Sequence, residues 1–124
     1  MRVVVLGETH LAQTLLRAAD MRGFERMLLV PNLPGPAKMY ADLTFAACDV
    51  LDHSDLRAAR EVFDAALAQD VTTRGPLVLV SQVPPGTTRA WALAASSIFY
   101  QVDTLIVHSA VARVLRPEQF IVGC

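Results

Sequence analysis

The chain is poor in most of the features that mark a specialised class of protein. Only 19% of its 124 residues are charged, and eleven bases against twelve acids leave a formal net charge of −1. Lysine occurs once, at Lys38, and the arginines are scattered from Arg2 to Arg116. No basic stripe forms, so the pattern gives no support for nucleic-acid binding or for an acidic membrane surface. Cysteine occurs twice, at Cys48 and Cys124. They form no metal-type cluster; one disulfide between them is open in principle, but two isolated thiols in a non-secreted chain read as free. Six glycines and seven prolines are too few for a collagen-like or low-complexity chain. The N-terminal apolar run Val3-Val4-Val5-Leu6 is too short for a signal segment or a membrane span. The expectation is a cytoplasmic domain with no metal site and no membrane contact.

What the chain does have is apolar residues, 53% of the total. With so modest a net charge, that excludes intrinsic disorder. The length suits one domain over residues 1–124, able to bury roughly 65% of its unfolded surface without disulfide or metal staples.

Apolar runs alternate with stretches of helical period. Val3–Leu6 reads as a strand buried on both faces, stopped by Gly7. Leu11, Leu15, Ala18 and Ala19 fall on one helical face, and Gly23 ends that helix. Residues 27–30 form a second strand. The segment 31–36 holds three prolines and is a loop, followed by one turn around Ala37 to Tyr40. Residues 43–48 form a third strand. A helix capped by Asp52 or Ser54 then buries Leu56, Ala59, Phe63, Ala66 and Leu67. Residues 76–81 form the clearest strand. Pro84-Pro85-Gly86 makes a turn, and Thr87 or Thr88 caps a helix through Ala95. Ile98–Tyr100 is a short strand. Asp103 caps a helix with Leu105, Ile106, Val111 and Leu115 inward, and residues 119–122 form a last strand stopped by Gly123. Strand–helix alternation without polar–apolar alternation inside the strands implies an α/β fold. The expected architecture is a Rossmann-like, doubly wound parallel sheet of about 5–6 strands in three layers.

In such a sheet, ligands bind beyond the carboxyl ends of the strands. The first of those loops is Gly7-Glu8-Thr9-His10-Leu11-Ala12. A dinucleotide fingerprint wants Gly, Gly and then Gly or Ala at the slots held here by Gly7, Thr9 and Ala12. Gly7 suits the tight turn and Ala12 the close helix packing. Thr9 places a Cβ where the second glycine would let the backbone approach a pyrophosphate, and Glu8 adds a negative charge. The second strand ends at Asn32 rather than at an acid, which leaves a weaker hydrogen-bonding partner for a ribose. His10, His53 and His108 share no catalytic spacing. Asp49, Asp52 and Asp55 cluster, which capping and solvation explain.

The most informative stretch is Ser81-Gln82-Val83-Pro84-Pro85-Gly86-Thr87-Thr88-Arg89, between a strand and a helix. It resembles the Ser-Thr-Val-Pro-Pro-Gly-Thr segment of the UDP-glucose/GDP-mannose dehydrogenase family, in the N-terminal NAD-binding domain. Further pieces resemble that domain in order: Val5 to Gln13, Asp42 to Ala47, Val102 to Leu105, and Arg116 to Gly123. The resemblance implies NAD as cofactor, with Gly7, Thr9, His10 and Leu11 at the pyrophosphate and Asn32 near the adenosine ribose. Asp49 and Val50 would lie on the nicotinamide-ribose side, with Ser81 and Gln82 also lining the cofactor. Gln82 takes the slot of a family Thr that helps hold NAD and a water. Asp103 takes the slot of a family Glu, so these two are the residues implied for catalysis. The family's catalytic Cys and active-site Lys lie in later domains with no counterpart here, and one β–α unit is missing before Asp42. The expectation is an NAD-binding domain that is catalytically incomplete and meets a nucleotide-sugar substrate only through further domains or a partner chain. The alternative is a binding or oligomerisation module of the same fold that has lost NAD. The missing unit leaves a sheet edge uncovered, which implies a homodimer.

Overall fold

The computed structural model describes residues 1–30, 39–47, 56, 57, 59–61, 64, 71–73, 75–91, 98–102, 109–117, 122 and 123. The β-branched run forms β1 (Arg2–Leu6), in which Val3 to Leu6 are all buried. Helix α1 (His10–Met21) follows and buries Leu11, Ala12, Thr14, Leu15, Ala18 and Ala19. It ends at Gly23, which takes a left-handed φ of 72° and donates its N–H to the Asp20 carbonyl at 2.8 Å.

Strand β2 (Glu25–Leu29) begins two residues before the expected run. Its exposed start carries Glu25 and Arg26, whose partners are polar: Glu25 pairs with Arg2 at 2.8 Å and Arg26 with Asp20 at 2.7 Å. β3 (Met39–Ala41) precedes β4 (Leu43–Ala47). The turn expected around residues 37–40 is therefore a strand at Met39 and Tyr40. It pairs in parallel with β5 (Val71–Thr73) as a separate two-stranded sheet. β6 (Leu77–Ser81) leads through the Pro85–Gly86 turn into α2 (Thr87–Trp91). Thr87 is already helical, and its hydroxyl donates back to the Pro84 carbonyl at 2.8 Å. β7 (Ile98–Val102), α3 (Ala110–Leu115) and β8 (Val122–Gly123) complete the described elements. Helical backbone is also present at residues 56, 57, 59–61 and 64, with Ala59 fully buried. The expected contributions of Phe63, Ala66, Leu67 and Asp103 to Ile106 fall outside the described residues.

The six-stranded sheet has the order β2-β1-β4-β6-β7-β8. Its first five strands run parallel, with Val5 beside both Leu28 and Phe45, and Leu79 beside Ala46 and Tyr100. β8 is antiparallel to β7, with Val122 beside Gln101 and Gly123 beside Tyr100. Gly123 is thus inside the last strand rather than beyond it. The fold is the expected α/β, Rossmann-like doubly wound architecture, with a single strand outside β1. The side-chain period of two sorts the core onto both sheet faces. Val3, Val5, Ala47 and Val80 meet Leu11, Leu15 and Ala19 of α1 on one side, with Val114 of α3 packed against them. Val4, Leu6, Leu29, Ala46, Leu77, Leu79 and Ile98 form the other.

Candidate functional site

From β1 the chain crosses over α1 to β2 on one side, and from β4 the sheet continues to β6 on the other. The carboxyl ends of β1 and β4 therefore flank the switch point at which open α/β sheets bind ligands. Gly7 sits there, fully enclosed, with a φ of 139°. That conformation belongs essentially to glycine. A Cβ at Gly7 would overlap the carbonyl oxygen of Ala47 and lie 3.3 Å from the Ala12 Cβ. The Gly7 N–H donates to the Leu29 carbonyl at 3.1 Å, which ties the turn to the end of β2. One residue thus holds the ends of three strands together.

The turn then delivers the N-terminus of α1. Thr9 is its N-cap, in extended conformation, and its carbonyl accepts the first helical bond from Gln13 N–H at 3.2 Å. Its side chain makes no capping bond, and Oγ1 is buried without a partner. Hence no Thr9 hydroxyl bond satisfies the leading amides of α1, a donor set suited to an anion. The first turn carries no acid; Glu8 lies just before it and is exposed. The macrodipole adds partial positive charge at this point.

Gly7, Thr9, His10 and Leu11 are thus brought together in one turn. The His10 side chain is exposed, whereas Leu11 is core, so only the backbone of Leu11 can serve a ligand. Ser81 ends β6 and Gln82 stands exposed beyond it. They lie two strands away from Gly7, about 10 Å across the sheet at the usual strand spacing. Ser81 shares the face of Leu77 and Leu79, opposite α1, and its Oγ is buried without a hydrogen-bond partner. Its carbonyl accepts the Tyr100 hydroxyl at 2.7 Å, which pins the end of β6 to β7. Asn32, Asp49, Val50 and Asp103 fall outside the described residues. Two contributors were missed in the sequence: the Ala47 carbonyl that makes Gly7 obligatory, and Tyr100. Neither is readable from local pattern, since both act across strands. Among the described residues no group of His, Cys, Asp and Glu could hold a metal ion, and no helix is long and apolar enough to cross a membrane.

No protein-family model matches the chain, and no curated protein matches it. Among solved structures it is similar to an imine reductase from Myxococcus stipitatus in complex with NADP+. The TM-score is 0.57 and the identity 15%, over 88% of this chain and 43% of that one. The chain therefore spans less than half the length of that enzyme. At such identity the likeness shows the fold alone.

Proposed function

We propose that the chain is a nicotinamide-dinucleotide-binding domain of an oxidoreductase, with the pyrophosphate held at the N-terminus of α1. The observation that carries this is the α1 N-terminus, left without a Thr9 capping bond, set behind an obligatory Gly7 at the switch point of the sheet. The backbone donors there fit a diphosphate, and Thr9 Oγ1 is an orphan hydroxyl beside them. The solved structure of similar fold holds NADP+, which supports the same class of ligand. The finer reading is the NAD-binding domain of a UDP-glucose/GDP-mannose dehydrogenase-like enzyme. Its support is the resemblance of the stretch Ser81 to Thr88, which runs from the last residue of β6 into α2. In that reading Gly7, Thr9, His10 and Leu11 serve the pyrophosphate, and Ser81 and Gln82 serve the nicotinamide side. Asn32, Asp49, Val50 and Asp103 complete the set by resemblance. A bound dinucleotide would supply hydride transfer, and a nucleotide-sugar substrate would come with further domains or a partner chain. Self-association through the β2 edge of the sheet belongs to the same proposal.

A second reading, a binding or oligomerisation module that has lost the cofactor, is favoured by one feature. Thr9 fills with a Cβ the slot a glycine would leave open, and Glu8 stands beside it. Thr9→Gly separates these effects. Removing the Cβ is expected to tighten NADH binding by about tenfold, measured by calorimetric titration. An affinity unchanged by the substitution would show that the turn does not contact the dinucleotide.

A further inference from the structure

α1 presents a second stripe toward α3. His10, Thr14, Arg17 and Met21 lie at successive helical spacings of four, three and four, so they share one face. α3 runs beside it, and the two helices line an open groove of about 640 Å³. That volume is in the range of small-molecule sites. Ser109, Ala110, Val111, Leu115 and Arg116 line its other wall. The Arg22 guanidinium donates to the Leu115 carbonyl at 2.8 Å and locks the last turn of α3 to the end of α1. The groove is therefore braced at its foot rather than being a gap between loose helices.

Its electrostatics are one-sided. The lining holds two arginines and a histidine but no carboxylate, in a chain whose acids outnumber its bases. Arg2, Arg26, Arg57 and Arg60 all pair with a nearby Asp or Glu. Arg17 and Arg116 pair with no acid among the described residues. Between them the walls offer Met21, Val111 and Leu115 as apolar surface and the hydroxyls of Thr14 and Ser109. Two guanidiniums with an apolar wall suit a doubly charged oxyanion attached to a small apolar body, since guanidinium binds phosphate through paired hydrogen bonds.

We propose that the α1–α3 groove is a binding site for a small phosphate monoester, with Arg17 and Arg116 as its anion-holding residues. The groove borders the Gly7 turn at His10, but its anion-holding residues Arg17 and Arg116 lie outside that turn, so it stands whether or not the turn holds a dinucleotide. The test is amide-shift titration of the full 15N-labelled chain with phenyl phosphate at constant ionic strength, with phenol as the neutral control. Saturable shifts are expected at Thr14, Arg17, Ala110 and Leu115, and none of them with phenol. Arg17→Gln and Arg116→Gln, both exposed positions, should each weaken binding about fivefold. Each should leave the rest of the spectrum in place, which reports an intact fold. Shifts confined to Gly7–His10, a lack of saturation, or an affinity in both variants equal to that of the unsubstituted chain would overturn the proposal.

Discussion

Gly7→Ala is expected to destabilise the fold by about 3–5 kcal/mol, a large share of the ~5–15 kcal/mol that holds a domain of this size together. Two costs coincide there. The φ of 139° lies in a region that side chains avoid, and the new Cβ would overlap the Ala47 carbonyl oxygen. That carbonyl is backbone at the end of β4, held by the parallel ladder to β6, so it cannot swing aside as a side-chain tip could. Relief requires β1 and β4 to separate, which breaks the contact of Val5 with Phe45 and of Leu6 with Ala46 across the strands. Gly23→Ala is the control. Its φ of 72° is also left-handed, but an added Cβ meets nothing within 4 Å. The expected cost is only about 1 kcal/mol. Urea denaturation of both variants measures the difference. Equal losses would mean that the close approach of Gly7 to β4 does not govern the turn.

The second large effect is Leu79→Ala. Leu79 is fully buried in the middle of β6, flanked in register by Ala46 and Tyr100. Its face also carries Val4, Leu6, Leu77 and Ile98. Neighbouring Ala46 is already small and cannot fill the space, and the strands on either side fix the backbone. The loss should therefore sit in the range of about 2–5 kcal/mol seen when a leucine is truncated without collapse of its surroundings. Phe99→Ala, at an exposed position of the adjacent strand, should cost far less. Thermal unfolding of the pair decides whether this face of the sheet is the stability centre.

How much of this was legible follows from which interactions each element depends on. β1 and α1 were readable because their signals are local: a β-branched run and apolar residues at helical spacing. The first two residues of β2 were not, since Glu25 and Arg26 carry no apolar signal. They join the ladder to β1 and pair with Arg2 of β1 and Asp20 at the end of α1. The Met39–Ala41 and Val71–Thr73 strands are three residues each and pair with one another across about thirty positions, too little pattern to read along the chain. The direction of β8 was equally hidden, because an apolar run looks the same whichever way it pairs. At the site, Gly7 was legible as a turn glycine, but its reason, the Ala47 carbonyl, is tertiary. The α1–α3 groove was not legible at all. It joins one stripe of α1 to residues about a hundred positions later.

The central claim is that the N-terminus of α1 behind Gly7 holds a nicotinamide dinucleotide. Calorimetric titration of NADH and NADPH into the intact chain tests it most directly. A saturating heat with a Kd at or below ~100 μM, about −5.5 kcal/mol, is the expected result. No heat and no thermal shift at millimolar dinucleotide would contradict it, and would leave a Rossmann-like fold that serves as an interaction module.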